Sequence, residues 1–202
     1  MLRKFILLPL LFTGHLFSQE SITEFTKNDF YAGFGWKTFQ LGSIDNGATA
    51  VNGDGVLLIT GKYFPKYDLK LELSASVLGY LSYKETDSTG FVVSYNTDID
   101  EADYMVSAAY GGGKRNDRLY MFPHLLLGAG VKTITYDSVD TITLPMVQAG
   151  VGFSVRNDPI EFFVKYYYDF LFNTQKFTTA NGVTIDIHSA NGSLETGINF
   201  IF

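Results

Sequence analysis

Polar and apolar residues alternate along most of this chain with a period of two. Between Asp68 and Lys84 the odd positions are Leu69, Leu71, Leu73, Ala75, Val77, Gly79, Leu81 and Tyr83, while every charge (Asp68, Lys70, Glu72, Lys84) falls at an even position. Successive side chains of a strand point to opposite faces, so the segment reads as one long two-faced strand; a helix would mix the two sets on every side. From Ile160 to Phe172 the even positions are apolar or aromatic, opposite Glu161, Lys165 and Asp169. From Pro145 to Arg156, Val147, Ala149, Val151 and Phe153 oppose Gln148, Ser154 and Arg156. From Leu119 to Tyr136, Leu125, Leu127, Ala129 and Val131 face away from His124, Gly128, Gly130 and Lys132. Shorter strands are predicted over Phe30–Phe39, Val56–Phe64 and Tyr104–Gly111, and the alternation in Val56–Phe64 leaves its two faces unassigned. With the C-terminal segment described below, the tally is eight.

The connections alternate in length. Short turns are predicted at 64–67, 112–117 and 156–159, and longer polar stretches at 40–54, 85–101, 137–141 and 173–186. In an up-and-down meander this puts every short turn at one end and every long loop at the other. Phe91–Tyr95 offers an extra hairpin, which would make ten strands.

The N-terminus has a different pattern. Arg3 and Lys4 precede the apolar run Phe5–Phe12, and Ser18 stands before Gln19 and Glu20. This is the layout of a secretory signal peptide, predicted over residues 1–18, with the mature domain over 19–202. The longest uncharged run beyond it, Thr141–Val155, is too short and too polar for a membrane helix. The exported domain is therefore either soluble or crosses a membrane as strands.

Composition narrows the classes. The chain has 202 residues, 15 Lys and Arg against 21 Asp and Glu, and no Cys. Disulfide staples and thiolate metal sites are excluded, and no metal or cofactor is expected. An acidic balance disfavours nucleic acid as a partner. The 31 Phe and Tyr residues (18 and 13) belong to strands more readily than to helices.

The chain ends Glu195-Thr196-Gly197-Ile198-Asn199-Phe200-Ile201-Phe202. Leu194, Ile198, Phe200 and Phe202 share one face, and Glu195, Gly197 and Asn199 the other. This end resembles the terminal β-signal of small bacterial outer-membrane β-barrel proteins, with Glu195, Gly197, Phe200 and Phe202 filling the pattern. The resemblance implies an all-β, single antiparallel up-and-down transmembrane β-barrel of eight strands, located in the cell outer membrane with both termini in the periplasm. It also implies outer-membrane lipid and the barrel-assembly machinery as partners, with the barrel a monomer. Tyr83, Tyr168, Phe170 and Phe172 then suit the outer aromatic girdle, and Phe30, Phe162, Phe200 and Phe202 the periplasmic one.

In such a barrel the polar set turns inward. Lys70, Glu72, Lys132, Arg156, Glu161, Lys165, Asp169 and Glu195 would form a lumen charge network. Eight strands enclose room for side chains only, so these charges are expected to pair into a plug. Gly128, Gly130, Gly150 and Gly152 would face them, either leaving space or relieving crowding. The expected role is a structural or surface-interaction protein acting through its external loops. The alternatives are a narrow channel or a hydrophobic-solute carrier, and a soluble secreted barrel binding a small apolar ligand with its faces reversed. No catalytic residues are assigned. Some eight-stranded barrels cleave or transfer lipid acyl chains with a Ser–His pair, but adjacent His188 and Ser189 point to opposite faces of a strand. Asp98, Asp100, Glu101 and Asp103 are read as a solvated acidic loop, Gly111–Lys114 and Asn52–Gly55 as turns.

Overall fold

The computed structural model describes residues 29–44, 49–64, 67–79, 82–86, 92–96, 99–112, 114–116, 119–136, 140–173, 176–178 and 184–202. The predicted signal peptide lies outside the described residues.

Thirteen strands are described: β1 (Asp29–Ile44), β2 (Thr49–Phe64), β3 (Leu69–Leu78), β4 (Ser82–Thr86), β5 (Val92–Asn96), β6 (Ile99–Tyr110), β7 (Lys114–Asn116), β8 (Leu119–Tyr136), β9 (Asp140–Asn157), β10 (Ile160–Leu171), β11 (Lys176–Thr178), β12 (Thr184–Ile187) and β13 (Ala190–Ile201). Eight of them form the wall. β1, β2, β3, β6, β8, β9, β10 and β13 pair in that order, every pair antiparallel, and β13 returns to β1 through Tyr31↔Ile201 to Phe39↔Ser193. The sheet is thus closed, which removes the edges an open sheet would present. The wall strands run from 10 to 18 residues, enough for the roughly 9–11 that a tilted span needs.

The possible extra hairpin is real but does not enter the wall. β4 and β5 pair with each other, and β4 reaches β2 at Val51↔Tyr83. β3 pairs directly with β6, so the count in the wall stays at eight. The strand expected to run from Asp68 to Lys84 ends at Leu78, and β4 begins at Ser82.

The expected loop over 40–54 is largely strand. β1 continues to Ile44 and β2 begins at Thr49, so most of 40–54 is paired. β8 ends at Tyr136, as expected, and β9 begins at Asp140; residues 137–139 lie outside the described residues. Within 40–54, Leu41 and Val51 are fully buried, beside Ile99, Ile134, Leu144, Ile185 and Ile187. The polar residues between them mask an alternation that feeds an apolar cluster. The acidic stretch 98–103 is a similar correction. β6 begins at Ile99, which puts Glu101 and Asp103 inside and leaves Asp100 exposed.

The wall has a lipid-like exterior. Leu71 is 44% exposed, Phe162 56% and Leu127 67%, whereas Lys70 and Glu161 are buried. The reversed-face arrangement required for a soluble apolar-ligand barrel is therefore not the one adopted. Phe30, Phe162, Phe200 and Phe202 are exposed toward the end that carries the β9–β10 turn, and Tyr168, Phe170 and Phe172 toward the opposite end. Nothing is described of the Tyr83 side chain.

Candidate functional site

The inside of the barrel is the site that the strands build. Alternation sends odd positions of β1, β9 and β13 away from or into the lumen in fixed register, so sequence-distant charges arrive at set heights. Across four adjacent strands, Lys37 pairs in register with Glu195, Glu195 with Lys165, and Lys165 with Gly152. All eight residues of the expected charge network are buried: Lys70, Glu72, Lys132, Arg156, Glu161, Lys165, Asp169 and Glu195.

Their pairings cross the lumen. Lys70 Nζ donates to both carboxylate oxygens of Glu161, at 2.7 and 2.6 Å, and Asn199 Nδ2 donates to the same carboxylate at 3.0 Å. Lys165 Nζ donates to Glu72 at 2.6 Å. Asp169 accepts from Gln148 Nε2 at 2.7 Å and from Ser193 Oγ at 3.4 Å. Glu195 lies 4.0 Å from Lys37 Nζ. Arg156 Nε donates to Asp158, an exposed residue at the β9–β10 turn, so that pair belongs to the rim.

Three members of the network are not in the sequence-based set. Lys37 donates to Asp103 at 2.5 Å, and Lys132 bridges Glu101 and Asp103, the latter at 3.1 Å. Asp103 thus holds two lysines. The signal for Glu101 and Asp103 was the alternation Ile99-Glu101-Asp103-Met105 against Asp100-Ala102-Tyr104-Val106, hidden by the density of acids around it. Lys37 sits on the same face as Tyr31 and Phe39, both buried.

Apolar layers lie beyond the charges on both sides. Toward one end Phe39, Leu41, Met105, Ile134, Leu144 and Met146 belong to a single buried cluster, and Lys132 Nζ stands 4.4 Å from the Phe39 ring centroid. Toward the other, Tyr63, Tyr120 and Phe122 pack together. Lys70 Nζ lies 4.9 Å from the Phe122 centroid, and the Tyr63 and Tyr120 hydroxyls are 3.3 Å apart. A cation against aromatic faces keeps part of the stabilisation it would lose on leaving water.

The inward glycines are sites of close approach. A Cβ on Gly152 would collide with the His124 ring, and one on Gly130 would collide with Met105. His124 Nδ1 is 3.0 Å from the Phe122 carbonyl oxygen, and its ring lies 5.1 Å from that of Phe122. The bare strand positions are therefore filled by side chains from neighbouring elements.

His188 and Ser189 do not form a pair. Instead His188 Nε2 lies 2.9 Å from Ser43 Oγ, and Asp186, two residues before His188, is bridged to Lys176 at 2.9 Å. The terminal segment is integrated in the wall: Phe200 lies 6.3 Å from Phe34, ring to ring, and the Phe202 N–H donates to the Phe30 carbonyl at 2.8 Å.

No protein-family model matches the chain, and no curated protein matches it. Solved structures do. Neisserial surface protein A (NspA) superposes with a TM-score of 0.54 at 14% identity, covering 87% of this chain and all of NspA. The attachment invasion locus protein Ail of Yersinia pestis gives 0.44 at 15% identity, covering 88% of this chain and all of Ail. A major outer membrane protein from Thermus thermophilus gives 0.41 at 11% identity, covering 85% and 99%. With its closed eight-stranded wall, apolar outside and charged inside, this chain has the fold of the small bacterial outer-membrane β-barrels.

Proposed function

We propose that the protein is a structural or surface-interaction barrel of the outer membrane whose lumen is closed to solute flow. The observation that carries this reading is the set of ion pairs spanning the interior, Lys70–Glu161, Lys165–Glu72 and the Lys37–Asp103–Lys132–Glu101 group. They sit between an apolar cluster and an aromatic one, and eight strands leave no width for a channel beside them. Opening a path would strip these charges of their partners in a low-dielectric interior, which is costly.

The external end supplies the interacting surface. The β4–β5 and β11–β12 hairpins extend the chain beyond the wall pairings there. No catalytic role is part of this reading: His188 is held by Ser43 rather than set against Ser189.

Liposome swelling tests the closed lumen. Proteoliposomes loaded with an impermeant polymer should swell in isotonic glycine or arabinose no faster than protein-free liposomes. Swelling that scales with protein content would sink the closed-lumen reading in favour of the channel.

A further inference from the structure

The ladder of the closed wall is irregular at its external end. β1 and β13 pair up to Phe39↔Ser193, after which β1 is next paired with β12 from Gly42↔Ile187. Between these points the register of β1 on β2 shifts at Gln40/Gly42. A bulge of this kind bends the strand and interrupts the ladder. Beside it lies an open cleft of about 700 Å³ lined by β2, β1, β13 and β10. Its volume is that of a small-molecule site.

The outward side chains of the cleft stand in two registered rows, over a base that includes the buried Phe39, Asn191 and Ser193. Asp54, Thr38, Leu194 and Tyr166 stand side by side in one row. Above it Asn52 pairs with Gln40, and Gly192 with Tyr168. Gly192 leaves the floor low: a Cβ there would meet the Tyr166 hydroxyl at 2.9 Å. The Tyr166 and Tyr168 rings lie 5.5 Å apart at 88° and are 42% and 50% exposed.

This lining selects a ligand class. Gln40 and Asn52 each offer donors and acceptors, Thr38 and the tyrosines a hydroxyl each, and Asp54 only acceptors. No lysine or arginine lines the cleft among the described residues, and His188, which does line it, is engaged with Ser43, so no ammonium or guanidinium group favours a phosphate or carboxylate there. A neutral sugar ring matches both properties, with hydroxyls that donate and accept and a C–H face that suits an aromatic side chain. The cleft opens on the side of the wall that carries Phe34, Leu194 and Ile198, so the rest of the ligand would run along an apolar surface.

We propose that this cleft binds the neutral sugar headgroup of a glycolipid in the outer leaflet, its acyl part lying along the Leu194 side of the barrel. The site is independent of whether the lumen is closed.

The probe is dodecyl maltoside, added to the isotopically labelled protein folded in dodecylphosphocholine micelles. Saturable amide shifts are expected at Gln40, Asn52, Gly192 and Tyr168. The half-saturation point should rise roughly tenfold in the Gln40→Ala/Asn52→Ala double variant, two hydrogen-bonding side chains being lost. A Tyr168→Ala variant, checked like the other for folded mobility on gels, should weaken the same response. Absence of saturation, or saturation unchanged in both variants, would overturn the proposal. Free maltose acting at the same concentration would also overturn it, by assigning the site to a soluble sugar.

Discussion

Lys70 and Glu161 stand 91 positions apart in the chain, yet the lysine ammonium sits within hydrogen-bond reach of both carboxylate oxygens. Removing one partner should be far worse than removing both. Lys70→Met or Glu161→Leu leaves a buried charge alone and should cost about 3–5 kcal/mol, while the double variant should recover most of that loss. Urea unfolding from lipid vesicles measures the cycle. Additive losses would mean that the two side chains do not depend on each other.

Gly152 and His124 compete for one volume. Gly152→Val should displace the imidazole and destabilise by about 1–3 kcal/mol, the usual cost of overpacking. Adding His124→Ala should relieve the clash. If the double variant is less stable than Gly152→Val alone, the two do not share that space.

The lipid-facing wall makes a depth-dependent prediction. Leu127, in the middle of β8, is 67% exposed, whereas Leu119 begins the strand. Leu127→Arg should cost about 2–4 kcal/mol and Leu119→Arg about 0–1. The unfolding free energies of the two variants in vesicles would separate a membrane-embedded wall from a solvated one, for which both costs would be small and equal.

The terminal aromatics should matter more to assembly than to stability. Deleting Phe202 removes a residue that is 78% exposed and one backbone hydrogen bond at the end of the wall. In cells the deletion should lower the folded, heat-modifiable fraction in the outer membrane several-fold, while refolding of the purified chain into vesicles changes little. Equal losses in both assays would make Phe202 a packing residue rather than part of an assembly signal.

Much of this was legible in the sequence because the strand period is strict wherever one face meets lipid. The predicted span of β8 and its structural bounds coincide at Leu119–Tyr136. Lys70, Glu161 and Lys165 are inside because Leu71, Phe162 and Val164 are outside. The pattern failed where polarity was dense. Around Glu101 and Asp103 the clustered acids read as loop, and around Leu41 and Val51 the intervening polar residues hid a buried apolar pair. Partner choice was not legible at all. That Lys132 meets Glu101 and Asp103, and Lys165 meets Glu72, depends on the stagger of strands around a closed ring, which no local stretch encodes.

The central claim is that the charges inside close the barrel, and single-channel recording in a planar bilayer addresses it most directly. The wild-type protein should insert without reproducible current steps. A variant carrying Lys70→Ala, Glu161→Ala, Lys165→Ala and Glu72→Ala, if it retains folded mobility, should show higher baseline conductance. Steady, uniform steps from the wild-type protein, unchanged in that variant, would contradict the account.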